Sequence, residues 1–217
     1  SSTDTESYMT TNNRRPSLWG ALRPTLVAGS LLACVSSCAE HGARDAVART
    51  NIVTMRGKPL TLVGTPVQVG DVAPDVRLVA NDMSDKRLSD YRGKVVILSA
   101  VPSLDTSVCD KETRTFNEKA AALPGDVVVL TVSMDLPFAQ RRWCGAAGIE
   151  RVVTLSDFKY REAGDRLGLR IQENQLLTRA VMVIDQQGVI RFLEIVPDVS
   201  GEPDYDAVLN AAKALRG

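Results

Sequence analysis

Val95-Val96-Ile97-Leu98-Ser99-Ala100-Val101 runs directly into Pro102-Ser103-Leu104-Asp105-Thr106-Ser107-Val108-Cys109. The first seven residues carry no charge and are rich in β-branched side chains. They read as a strand buried on both faces. The next eight are turn formers that end on a cysteine. A helix pattern opens there and continues over about 107–122. A second apolar run follows at Val127-Val128-Val129-Leu130-Thr131-Val132. Strand, helix and strand in this order imply parallel pairing with a right-handed crossover. Cys109 is thereby expected at the end of a central strand and the start of a helix.

Outward from this unit, short strand-like and helix-like segments alternate. Residues 52–55 and 60–63 flank Arg56-Gly57-Lys58-Pro59 and predict an N-terminal β-hairpin. A loop at 70–74, a strand at 76–80 and a polar connection at 84–93 follow. Asp135 is placed to cap a helix with Pro137 in its first turn. Gly145 and Gly148 weaken or end that helix early. A short strand is expected at 152–155 and a helix at 159–167. Residues 180–185 and 189–196 bracket Gln186-Gln187-Gly188 as an antiparallel hairpin. Residues 204–216 close the chain as an amphipathic helix, with Val208, Leu209, Ala212 and Leu215 on one face. The expected fold class is α/β: a mixed central sheet flanked by helices, of the thioredoxin-like kind, over residues 51–217.

Composition fits a soluble globular body, with 44% apolar and 24% charged residues. The 26 basic and 26 acidic residues balance, so no nucleic-acid partner is indicated. Four cysteines are too few for a disulfide-built scaffold. Two fall in residues 1–50, which differ from the rest and read as a leader and linker. Arg14, Arg15 and Arg23 precede the apolar stretch from Thr25 to Val35, too short to span a bilayer. Val35-Ser36-Ser37-Cys38 resembles a bacterial lipobox, which makes Cys38 the candidate for lipidation, ahead of Cys34. The cell envelope is then the expected location, with membrane contact only through the lipid. An unprocessed extension on a cytoplasmic protein is the alternative.

The single histidine, His41, also lies in the leader. No histidine of the body can therefore activate Cys109. A thiol attacks as thiolate, and a free cysteine is mostly protonated at neutral pH. If Cys109 is a nucleophile, a helix start, a hydroxyl and an arginine must hold its charge. Thr106 offers the hydroxyl, Pro102 shields and fixes the loop, and Arg179 offers the cation. That set suits peroxide chemistry and not acyl transfer. Cys144 follows 35 positions later. Plainer readings stand beside these: an inert buried cysteine, a surface arginine, a threonine that only caps a helix, or a structural Cys109–Cys144 disulfide. Nothing resembles a zinc site, and no cofactor is implied.

The run PSLDTSVCD resembles the active-site loop of peroxiredoxins. SMDLPFAQRRWC, from Ser133 to Cys144, is similar to the resolving-cysteine segment of the bacterial thiol peroxidases, the atypical two-cysteine peroxiredoxins. TRAVMVID, from Thr178 to Asp185, resembles the strand that carries their arginine, and EPDYDAVLNAAKAL their last helix. The likeness covers about 53–215. It implies a peroxidatic Cys109, a resolving Cys144 that forms a disulfide with it, Thr106 and Arg179 orienting the peroxide, and Pro102 lining the pocket. It further implies a peroxide substrate, a thioredoxin-like reductant and a homodimer. Trp143 departs from the usual phenylalanine and is expected to alter packing around Cys144. The leader is a second departure, which bears on the reductant. Two other functions fit the fold. A thiol–disulfide oxidoreductase would normally carry Cys-x-x-Cys, but positions 106 and 112 are Thr106 and Glu112. A non-catalytic envelope module would hold a purely structural disulfide.

Overall fold

The apolar run at residue 95 forms β5 (Val95–Ala100), and every one of its residues is buried. A computed structural model describes residues 46–215, so Cys34, Cys38 and His41 lie outside the described residues. β5 pairs in parallel with β6 (Val127–Ser133), from Val95 opposite Val127 to Ala100 opposite Val132. Its other edge pairs antiparallel with β9 (Ala180–Ile184). A strand bonded on both edges and covered on both faces accepts apolar or small side chains, which is what the run supplies.

β6 continues in parallel to β7 (Val152–Ser156), which meets β3 (Arg77–Ala80) antiparallel, with β4 (Asp85–Arg87) at that edge. β10 (Ile190–Ile195) pairs antiparallel with β9 at the other edge. The order is β10-β9-β5-β6-β7-β3-β4. β1 (Arg49–Met55), β2 (Lys58–Val63) and the two-residue β8 (Arg170–Ile171) form a separate small sheet. The expected N-terminal hairpin is thus present. So is the β9–β10 hairpin, whose turn Gly188 takes φ +83°.

Alternate residues of β5 face opposite layers, as the period of two requires. Val95 and Ile97 pack with Phe116 of α1 (Ser107–Ala120) and with Val208, Leu209 and Ala212 of α4 (Tyr205–Ala214). Val96, Leu98 and Ala100 pack with Leu88, Ala163 and Leu167 on the other side. Each fully buried side chain of this size contributes about 1.5–3 kcal/mol. Phe116 also meets Tyr205 edge-on, with ring centroids 5.3 Å apart, which locks α1 against α4.

Several local expectations change. The polar connection at 84–93 contains β4 and a 3₁₀ turn, Leu88–Tyr91. Its edge strand is all charged, so no apolar alternation marked it. Asp135 does not cap α2 (Pro137–Ala147). Leu136 precedes that helix with Pro137 first in it, and the Asp135 carboxylate turns to the Cys109 loop instead. Gly145 lies within α2, whereas Gly148 ends it in the left-handed conformation at φ +65°.

The helix expected at 159–167 is shorter, α3 (Glu162–Arg166), because Arg161 adopts φ +58° upstream of it. Asp157 accepts hydrogen bonds from the Ala163 and Gly164 amides and fixes that start. Burial pushes the Asp157 carboxyl up to about 6, against the pull of those two amides. A carboxyl raised in this way from 3.8 favours the folded state when protonated. Its contribution is complete below the unfolded value and is lost as pH rises through about 6. Relative to Asp157→Asn, the wild type should therefore gain at most about 3 kcal/mol between pH 8 and pH 4. Chemical denaturation at both pH values checks this, and a pH-independent gap would contradict it.

Candidate active site

The loop between β5 and α1 is pinned before it reaches Cys109. Asp135 accepts from Ser103 Oγ at 2.7 Å and from the Leu104 amide at 2.8 Å, and it also accepts from Ser133 Oγ at 2.8 Å. The end of β6 thereby holds the loop that leaves β5. Thr106 occupies the N-cap position of α1 in extended conformation, yet its hydroxyl caps no backbone amide. Thr106 Oγ1 stands 2.8 Å from Cys109 Sγ and 2.9 Å from the Ser103 carbonyl. One hydroxyl proton serves one of these acceptors at a time. Cys109 is the third residue of α1, in the turn whose amides lack helical partners. Its side chain is fully buried, while Thr106 is exposed.

Arg179 reaches the same sulfur from the start of β9. Its Nη2 is 3.2 Å from Cys109 Sγ, and its Nε donates to the Val199 carbonyl at 3.0 Å. Nη1 pairs with Glu112 Oε2. Ser99 Oγ, the one polar group of β5, donates to Glu112 Oε1 at 2.6 Å. Arg179, Glu112 and Ser99 are all buried, with Arg179 1% exposed. An arginine buried so completely requires this set of partners.

Burial pushes the Glu112 carboxyl up, against the pull of Arg179 and Ser99. Burial also works against the charge on Arg179, but Glu112 and Cys109 outweigh it and hold the guanidinium above its ordinary value. The guanidinium is therefore a fixed cation with one nitrogen committed to a carboxylate and another aimed at sulfur. Glu112 and Ser99 belong to the site although the sequence singled out neither. Their signals were a glutamate on the buried face of α1, three residues after Cys109, and the lone serine in an apolar strand.

An open cavity of about 170 Å³ lies against Thr106 and Arg179, the two residues that touch the sulfur. Met55, Pro102, Thr106, Val108, Arg179 and Val199 are among its lining residues. Thr106, Arg179 and Pro102 thus meet at one opening. A small molecule entering there first meets the hydroxyl and the guanidinium that touch Cys109.

Cys144 lies elsewhere. Both cysteines are free thiols. The half-buried Cys144 sulfur is 3.2 Å from Thr154 Oγ1 on β7 and lines a groove with Asn81, Asp82 and Val152. Among the described residues, none lines both openings. The neighbouring Trp143 turns the other way and packs against Val101, Leu104 and Cys109. Its Nε1 donates to Asp110 Oδ1 at 2.9 Å, and the Arg114 guanidinium stands 5.7 Å from its ring centre. The tryptophan therefore shapes the surroundings of Cys109 rather than those of Cys144. The end of α2 is further tied to α1, since Arg114 donates to the Ala147 carbonyl at 3.0 Å.

A parallel–antiparallel sheet of this order, with an unpaired buried cysteine in the first turn of the helix after its central strand, defines a thioredoxin-like thiol protein. Residues 68–209 match the family model described as Redoxin, and the chain belongs to that family. It is 52% identical over 158 residues to the thiol peroxidase of Oceanobacillus iheyensis, covering 73% of this chain and 96% of that one. It is 50% identical over 163 residues to the thiol peroxidase of Bacillus subtilis, covering 75% and 97%. Among solved structures, the peroxiredoxin-like protein from Aquifex aeolicus is similar at 42% identity and a TM-score of 0.72, covering 78% of this chain and 98% of that one.

Proposed function

We propose that this protein is a thiol peroxidase that reduces hydrogen peroxide and organic hydroperoxides, with Cys109 as nucleophile and Cys144 as resolving thiol. One observation carries the reading: the Cys109 sulfur meets Thr106 Oγ1 at 2.8 Å and Arg179 Nη2 at 3.2 Å, and both of these residues line an open cavity. Both groups can donate a hydrogen bond to the attacking sulfur. They also face the place where a peroxide oxygen must lie during attack.

In the first step the Cys109 thiolate attacks the terminal hydroxyl oxygen of R–O–OH. The O–O bond breaks, ROH leaves with a proton, and Cys109 becomes a sulfenic acid. In the second, the Cys144 sulfur attacks the Cys109 sulfur, an S–S bond forms and water leaves. In the third, an external dithiol exchanges twice and is itself oxidised. With a dithiol donor, purified protein should consume hydroperoxide, and peptide mapping should find Cys109 joined to Cys144. Insulin reduction without peroxide consumption would contradict this.

The two sulfurs keep separate partners, and a disulfide requires Cα atoms within about 7 Å. The resolving step therefore requires the second half of α2 to leave its contacts with Asp110, Arg114 and Thr154. Gly145 lowers the helical preference of that half. Amides around 143–148 should lose hydrogen-exchange protection on oxidation. Equal protection in the reduced and oxidised protein would count against the motion.

The family resemblance supports a thioredoxin-type dithiol as reductant and a homodimer as working unit. The leader pattern supports an envelope protein anchored through Cys38. Labelled fatty acid should then mark the protein and fail to mark Cys38→Ala. An unlabelled full-length product would contradict the anchor.

A further inference from the structure

The peroxide-reducing steps use neither of the polar groups that meet the Cys144 sulfur. Thr154 Oγ1 is 3.2 Å from that sulfur, and Thr154 is 2% exposed. Asn81, which follows β3, donates from Nδ2 to the same Oγ1 at 2.9 Å, and Nδ2 stands 3.9 Å from the sulfur. The Thr154 oxygen accepts from Asn81, and its own O–H is within reach of the sulfur as a donor. Among the described residues, Asn81 Oδ1 is buried without a hydrogen-bond partner. The amide thus turns its donor side to the Thr154–Cys144 pair at the expense of its oxygen.

We propose that Thr154, backed by Asn81, is a positioning residue for the resolving step. It parks the Cys144 sulfur in a groove of its own and so sets how long the Cys109 sulfenic acid survives. This rests on the reading of Cys144 as the resolving thiol.

Two reactions compete for Cys109–S–OH. In one, the Cys144 thiol condenses with it: the S–S bond forms, the S–O bond breaks, and the thiol proton leaves with the hydroxyl as water. In the other, a second R–O–OH transfers one oxygen to the sulfur, giving Cys109–SO₂H and ROH, which removes the enzyme from turnover. The Thr154 contact exists in the parked state and is lost before the sulfurs meet. An interaction stronger in the ground state than in the transition state slows the step. Its removal should therefore speed condensation by roughly three- to tenfold, the worth of one ordinary hydrogen bond.

The test uses full-length reduced protein mixed with graded hydrogen peroxide, acid-quenched, thiol-blocked and analysed by mass spectrometry. The readout is the ratio of sulfinic acid at Cys109 to Cys109–Cys144 disulfide. Thr154→Val keeps the shape, suits a strand and removes the hydroxyl. It should lower that ratio by roughly three- to tenfold, and Thr154→Ser should restore the wild-type ratio. Asn81→Ala should shift the ratio in the same direction by a smaller factor. A ratio unchanged or raised in Thr154→Val, with the wild type forming its disulfide normally, would overturn this inference alone. A wild type that forms no such disulfide would overturn the reading of Cys144 and this inference with it.

Discussion

Cys109→Ser is expected to lower peroxide turnover by roughly a thousandfold or more while leaving the protein folded. The reaction needs a sulfur that accepts oxygen from a peroxide and returns it as water, and a serine oxygen does neither. The change is small for the fold. Cys109 is buried against Val101, Leu104 and Trp143, and a serine oxygen there can still meet Thr106 and Arg179. Turnover with a dithiol donor, measured beside a thermal melt, separates the two effects. Retained activity would move the chemistry to another sulfur, and unfolding would mean that Cys109 acts chiefly in packing.

Arg179→Met is expected to lose both activity and stability, and the two losses can be separated. Removing the guanidinium takes a charged donor from 3.2 Å of the sulfur and should slow peroxide attack by roughly a hundredfold. It also strands Glu112, which is fully buried and left with Ser99 as its other side-chain partner. Breaking a buried ion pair on one side costs about 3–5 kcal/mol.

The sign of the pH effect follows. Without Arg179, burial is opposed by the Ser99 hydrogen bond and no longer by a cation, so the Glu112 carboxyl moves further up. A carboxyl raised in the folded state stabilises the fold when protonated and loses that contribution as pH rises through its folded value. The deficit of Arg179→Met should thus be larger at pH 8 than at pH 5. Adding Glu112→Leu should remove the pH dependence and recover most of the stability, because replacing both partners by apolar groups leaves no charge behind. Activity should stay lost in the double variant. If the double variant regained activity, the cation beside sulfur would be dispensable. If Arg179→Met were as stable as the wild type, the pair would not bear on the core.

The parts of this site legible in the sequence are those governed by local pattern. An uninterrupted apolar run announced β5, and the cysteine after its turn residues fell in the first turn of α1. Thr106, three positions earlier, had the spacing to reach the sulfur. The parts that stayed hidden are set by contacts distant in sequence. Glu112 has no local reason to be buried, and only the approach of Arg179, 67 residues away, explains it. Asp135 looked like a helix cap because it precedes Pro137, but the Ser103 hydroxyl and the Leu104 amide, brought close by the β5–β6 pairing, compete for it and win. Trp143 stands beside Cys144 in sequence and on the opposite side of the helix in space, where its indole N–H finds Asp110. β4 and β8 are too short and too polar to leave a periodic trace.

The most direct test of the central claim is single-turnover trapping of the oxidised sulfur. Reduced Cys144→Ser, mixed with one equivalent of hydrogen peroxide and a sulfenic-acid-specific nucleophile, should carry the label at Cys109. Peroxide should vanish far faster than with free cysteine at the same pH. Peroxide consumed no faster than by free cysteine, with Cys109 recovered as unmodified thiol, would contradict the account.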